Sequence, residues 1–121
     1  MAKTIMVIDD SAALRASVID ALADAGYKIL SAADGQEALG MLDGRRVDLM
    51  ICDVHMPRMD GITFVAEAKR LPEYRFVPII MLTTESSESQ REAGHMAGAK
   101  AWVVKPFRRE QILHAVSKLV S

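Results

Sequence analysis

Val47 to Gly61, VDLMICDVHMPRMDG, is the stretch whose reading decides the fold of this 121-residue chain. Leu49-Met50-Ile51-Cys52 is a short apolar run with the length and flanks of a strand buried on both faces, and it stops at Asp53. Further on, Asp60-Gly61 closes a turn rich in Met and Pro. In an open parallel α/β sheet, ligands bind outside the carboxyl ends of the strands, so a carboxylate at that stop is a candidate for chemistry. An isolated Asp more often caps a helix or makes a turn, and the flanking sequence has to decide between the two readings.

On the amino-terminal side, Thr4 to Ile8 is a second buried run, ended abruptly by Asp9-Asp10. Leu14, Val18 and Leu22 then recur every four residues through SAALRASVIDALADAG, an amphipathic helix stopped by Gly26. Tyr27 to Ala32 is a less apolar strand, hence an expected sheet edge. Asp34-Gly35-Gln36-Glu37 has the form of a capping box and predicts a helix from Gly35 to Leu42.

On the other side, Asp60, Ile62, Val65, Ala66 and Leu71 predict a capped helix with Pro72 just past its end. Phe76 to Leu82 is a further buried strand running into Thr83 and Thr84. Ser87-x-x-Gln90 can cap a fourth helix, expected to be the least stable because its apolar stripe is weak and it holds two glycines. Ala101 to Val104 is a fifth strand ending in Lys105-Pro106, and Ile112, Val116 and Leu119 mark a closing helix from Glu110 to Val120. Strands alternating with helices in this way require right-handed crossovers and a parallel sheet covered on both faces. The expectation is one α/β domain over residues 1–121, doubly wound, with five strands and five helices.

Composition excludes several classes. Lys and Arg total 15 against 16 Asp and Glu, for a net charge of -1, so neither nucleic acid nor a membrane surface is an expected partner. The single cysteine, Cys52, lies inside an apolar run, which rules out an internal disulfide and points to a reducing compartment, the cytoplasm. The N-terminus reads as neither a signal peptide nor a membrane span. His55, His95 and His114 lack the mutual spacing of metal ligands.

With parallel strands, Asp9, Asp10, Asp53, Thr83 and Lys105 arrive from four strands at one edge of the sheet. Three crowded carboxylates repel one another and favour either raised pKa values or a divalent cation. Hard oxygen ligands suit Mg²⁺. The Lys105 ammonium and the Thr83 hydroxyl are groups that can hold phosphoryl oxygens, and a carboxylate can accept the phosphoryl group itself. Asp53 is the natural acceptor, being the lone acid on the strand with the longest buried run.

From VIDD through DVHMPRMDG and MLTTE to WVVKPF, the chain resembles the response-regulator receiver domains, and the single-domain chemotaxis type most closely. The resemblance implies a flavodoxin-like strand order of 2-1-3-4-5. It implies that Asp53 is the phosphoacceptor, that Asp9, Asp10, Asp53 and the backbone carbonyl of His55 hold Mg²⁺, and that Lys105 contacts the phosphoryl group. Thr83 and Trp102 would be the switch pair, with His55 and Glu85 tuning the phosphoryl lifetime. A cis Lys105-Pro106 bond is expected for the same reason. Trp102 stands where the family usually has Tyr or Phe, and His55 where chemotaxis proteins often have Asn. Arg108-Arg109 replaces the usual Ser or Thr cap and would put a basic pair on a partner face.

The expected function is a cytoplasmic, monomeric switch, not an enzyme, phosphorylated by a histidine kinase. No output domain is expected after Val120, so the signal would leave by binding a target protein on the face of the fourth helix, fifth strand and closing helix. A phosphorelay intermediate, a phosphate sink or a receiver excised from a longer regulator are variants of that reading. A haloacid-dehalogenase-type phosphatase would need a second Asp where His55 stands. A flavodoxin-like electron carrier would need a Ser, Thr and Gly-rich phosphate loop where Asp9-Asp10 stands.

Overall fold

A computed structural model describes residues 2–84 and 88–120. The elements run β1 (Thr4–Ile8), α1 (Ala12–Asp24), β2 (Lys28–Ala32), α2 (Gly35–Met41), β3 (Leu49–Asp53), α3 (Gly61–Lys69), a 3-10 turn (Pro72–Tyr74), β4 (Ile79–Thr83), α4 (Glu88–Ala97), β5 (Ala101–Val104) and α5 (Arg109–Leu119). All strand pairings are parallel and the order is β2-β1-β3-β4-β5. This is the expected doubly wound sheet.

Because side chains alternate along a strand, each apolar run feeds two cores. Ile5, Val7, Leu49, Ile51, Ile80 and Leu82 pack under Val18 and Leu22 of α1 and Ile112 and Val116 of α5. Met6, Ile8, Met50, Cys52, Ile79 and Met81 face the other way, against Ala38 of α2 and Phe64, Val65 and Ala68 of α3. Trp102 packs against this second core, opposite Met81 in the ladder. β1, β3 and β4 are buried on both faces, which is why they read as continuous apolar runs. β2 is an edge, as its polar content suggested.

Three helices, each beginning at the carboxyl edge of the sheet, start on side-chain caps. Ser11 Oγ accepts from the Leu14 amide, Asp34 Oδ1 from Glu37, and Asp60 Oδ1 from Thr63. Each cap satisfies an amide the first turn leaves unpaired. The Ser87 cap expected for α4 lies outside the described residues.

Several boundaries differ from the sequence expectation. The second strand starts at Lys28, not Tyr27. The third helix ends at Lys69, before Leu71, because Pro72 opens a separate 3-10 turn. The fourth strand starts at Ile79, and Phe76 is 89% exposed instead of buried. The Val77 amide folds back to the Tyr74 carbonyl, and Pro78, lacking an N–H, offers the sheet only its carbonyl, which accepts from Met50. The closing helix starts at Arg109, with Arg108 as its N-cap; the Arg108 amide donates to Gln111 Oε1 at 2.7 Å, so one end amide is satisfied without a Ser or Thr. Arg109 reaches Asp24 of α1 at 2.8 Å and Asp20 at 3.7 Å. Half of the expected basic pair on a partner face is therefore spent clamping α5 to α1.

Candidate functional site

The carboxyl ends of β1 and β3 put Asp9 and Asp53 side by side, both buried, with Asp10 exposed above them. One ligand atom from each of the three carboxylates lies within 4.8 Å of the others. Lys105 enters from the end of β5, its amide donating to the Thr83 carbonyl at 2.7 Å. Its ammonium stands 3.1 Å from Asp53 Oδ1 and 3.6 Å from Asp9 Oδ2. The Lys105–Pro106 peptide bond is cis.

Asp53 occupies the same alternation face as Ile51, on the α1/α5 side, whereas Thr83 follows Met81 and faces the α3 side. Thr83 is buried. The ladder sets it opposite Val104, and Trp102 lies two residues back along β5 on the same face of the sheet. His55 is exposed on the loop leaving Asp53, and Glu85 lies outside the described residues.

The electrostatics follow from burial with incomplete neutralisation. Burial pushes the Asp53 carboxyl above its ordinary value, the Lys105 hydrogen bond pulls it back, and the neighbouring Asp9 charge pushes it up again. The thiol of Cys52 is driven well up, chiefly by burial, and donates weakly to the Asp53 carbonyl at 3.3 Å, so it serves as a core residue.

Asp9 is held from two sides. Its Oδ1 accepts from the Ser11 amide at 2.8 Å, and its backbone carbonyl accepts from Arg15 Nη1 at 2.6 Å. Its Oδ2 is buried with no hydrogen-bond partner. A buried carboxylate oxygen with no hydrogen bond, in a cluster of three acids faced by one ammonium, fits a hard divalent cation, and Asp9, Asp10 and Asp53 are the residues that would hold it.

Of the five polar residues expected from sequence, Asp9, Asp53 and Lys105 form one ion-paired cluster with the Asp10 carboxylate beside it, while Thr83 is buried at the end of β4 with its side chain on the other face of the sheet from Asp53. Two features of the surroundings were not anticipated. Arg58, in the loop after Asp53, bonds Asp34 Oδ2 at 2.7 Å. Trp102 Nε1 is buried without a partner. Neither has a local signature, since each depends on what a distant segment brings near.

The chain matches the response regulator receiver domain family over residues 5–117. It is 38% identical over 120 residues to response regulator MprA of Mycobacterium bovis, covering 99% of this chain and 51% of that protein. The chain thus spans about half the length of the curated relatives it matches. Among solved structures, chemotaxis protein CheY4 of Vibrio cholerae superposes with a TM-score of 0.96 at 40% identity, covering 99% of this chain and 100% of that one. The receiver domain of sensor histidine kinase PA1611 from Pseudomonas aeruginosa, described with a magnesium ion coordinated in its active site cleft, superposes with a TM-score of 0.90 at 26% identity, covering 98% of both chains.

Proposed function

The chain belongs to the response regulator receiver domain family of two-component systems, and we propose that it is a phosphorylation switch whose acceptor is Asp53. The observation that carries this reading is the buried Asp53 carboxylate held 3.1 Å from the Lys105 ammonium beside two further acids. In the proposed transfer, Asp53 Oδ attacks the phosphorus of a phosphohistidine on a partner kinase. The P–N bond breaks and the leaving imidazole nitrogen takes up a proton. Lys105 neutralises charge on the acceptor and on the phosphoryl oxygens, the positioning and electrostatic work that such transfers need. Bound Mg²⁺ supplies charge neutralisation of the transferring group. Asp9, Asp10 and Asp53, with the His55 carbonyl, are its proposed ligands, and the magnesium ion described in the active site cleft of the PA1611 receiver supports a magnesium site in such a domain.

The phosphorylated side chain carries about -1.5 to -2 charges and strong acceptor oxygens, which draw the Thr83 hydroxyl inward. Trp102 on the same sheet face then repacks, and the surface of α4, β5 and α5 changes its affinity for a target protein. The protein is a switch and not a turnover enzyme in this reading, and its compartment is the cytoplasm, where phosphohistidine kinases transfer. Among the described residues no helix is long and apolar enough to cross a membrane.

Likeness to CheY4 along that protein's whole length supports a chemotaxis-type role. The 51% coverage of MprA favours a second reading, the receiver portion of a longer regulator. Intact-mass analysis after incubation with acetyl phosphate and Mg²⁺ tests the acceptor. Wild type gains one phosphoryl group and Asp53→Asn gains none; equal labelling of that variant would refute the assignment.

A further inference from the structure

The loop leaving Asp53 is closed upon itself. The Val54 carbonyl accepts from the Gly61 amide at 2.8 Å, while the Val54 amide donates to the Leu82 carbonyl at 2.9 Å. Within this loop Arg58 adopts a φ of 69°, the one left-handed non-glycine among the described residues. A side chain of that size is unfavourable there and persists only where its surroundings hold it.

Two contacts hold it. The Arg58 guanidinium bonds Asp34 Oδ2 at 2.7 Å; Asp34 is only 3% exposed, and its other oxygen already caps α2. Met59 lies against Gly35, where a Cβ would stand 3.1 Å from its Cγ and Sδ. Exposed ion pairs contribute little in general. This one differs, because removing Arg58 leaves a buried carboxylate short of a donor and frees the tip of a strained loop.

We infer that Arg58 is a positioning residue for the cation site: by anchoring to Asp34 it fixes the loop backbone that flanks Asp53. This rests on the reading of Asp9, Asp10 and Asp53 as Mg²⁺ ligands. An octahedral Mg²⁺ shell needs about six oxygens, so three carboxylates leave positions to water or to backbone carbonyls. The irregular backbone that continues directly from one of those carboxylates is this loop. Its order therefore sets how completely the site is formed before the cation arrives.

Asp34→Asn keeps an oxygen to cap α2, and Arg58→Asn keeps a residue tolerant of the left-handed conformation, yet both remove the charged bridge. Titration of the full chain with Mg²⁺, read by calorimetry and by the Mg²⁺-dependent rise in melting temperature, should show affinity about tenfold weaker in each variant, the scale of outer-shell losses at metal sites. The double variant should be no weaker than the worse single one, since all three lack the same contact. Arg58→Lys should recover part of the affinity. Phosphorylation by acetyl phosphate should need more Mg²⁺ in the Asn variants and reach the wild-type rate when Mg²⁺ saturates.

Affinity within about twofold of wild type in both single variants would overturn the inference, the expected outer-shell loss being far larger. So would a rate that excess Mg²⁺ does not restore. If the wild type itself fails to bind Mg²⁺, the cation site falls first and the role of Arg58 falls with it.

Discussion

Asp9 and Asp53 stand at the ends of β1 and β3, whose residues Ile5 to Ile8 and Leu49 to Cys52 are fully buried, whereas Trp102 and Val104 belong to β5, an edge strand without one buried residue. Among the described side chains of α4, which precedes β5 in the chain, none is buried, and Met96 is 80% exposed. The acid end of the sheet is flanked by strands on both sides and covered by helices on both faces; the aromatic end has one neighbouring strand and a thin cover. Phosphoryl chemistry depends on atoms held in place. A surface that reports the event needs alternative packings close in energy, which come from weakly packed elements. In the proposed switch the two tasks fall to parts of the sheet with opposite packing, with Thr83 as the proposed link between them.

The largest test of that contrast is Gly61→Ala. A Cβ at Gly61 would stand 2.1 Å from the Asp53 carbonyl oxygen and 2.9 Å from the Val54 Cα, so backbone would have to move beside Asp53. Overpacking a rigid region should cost about 3 kcal/mol, lowering the melting temperature by roughly 10 °C. A drop under about 2 °C in thermal melts would mean the acid end yields as easily as the aromatic one.

Next in size is the coupling between the halves. Trp102 is the one tryptophan, so its emission reports the aromatic end directly. Its Nε1 is buried without a partner, a cost that favours movement when the neighbourhood changes. Beryllofluoride with Mg²⁺ should shift Trp102 emission and lower its accessibility to iodide in wild type, and Thr83→Ala should abolish the shift while still binding the mimic. An unchanged response in Thr83→Ala would detach Trp102 from the acceptor.

The smallest effect sharpens the electrostatics of the acid end. The folded-state pKa of Asp53 is raised, first by burial, so its contribution to stability is full below its ordinary value of 3.8 and is lost as pH rises through the folded value. Asp53→Asn has no such loss. In EDTA at neutral pH it should melt roughly 2–5 °C above wild type, and the gap should close in acid. Mg²⁺ should raise the wild type and leave the variant largely unmoved. A variant less stable than wild type at neutral pH in EDTA would show that the Lys105 pair outweighs burial and repulsion.

How much could be read in advance depended on how local the signal was. The runs ending at Asp9 and Asp53 were legible because a strand buried on both faces tolerates only apolar residues, and the run stops where burial stops. The caps at Asp34 and Asp60 were legible because an N-cap bonds an amide three residues on. Phe76 misled, since an apolar residue before a strand is indistinguishable in sequence from its first member. The chain at that point was still turning out of the 3-10 segment, and Phe76 was left in solvent.

The sequence by itself determined a five-stranded α/β sheet and a resemblance to receiver domains, and it singled out five polar residues as site candidates, because each lies at the end of a recognisable run. Only the tertiary structure decided how those residues and their neighbours are partnered. Arg109 was free in sequence and is committed to Asp24, a residue 85 positions away. Arg58 holds Asp34 from 24 positions away, and Asp53 has its pKa raised by burial and by Asp9 together. The physical reason is range: apolar periodicity and capping act within a few residues along the chain, whereas charge pairing and desolvation act through space, and only the closed sheet sets those distances.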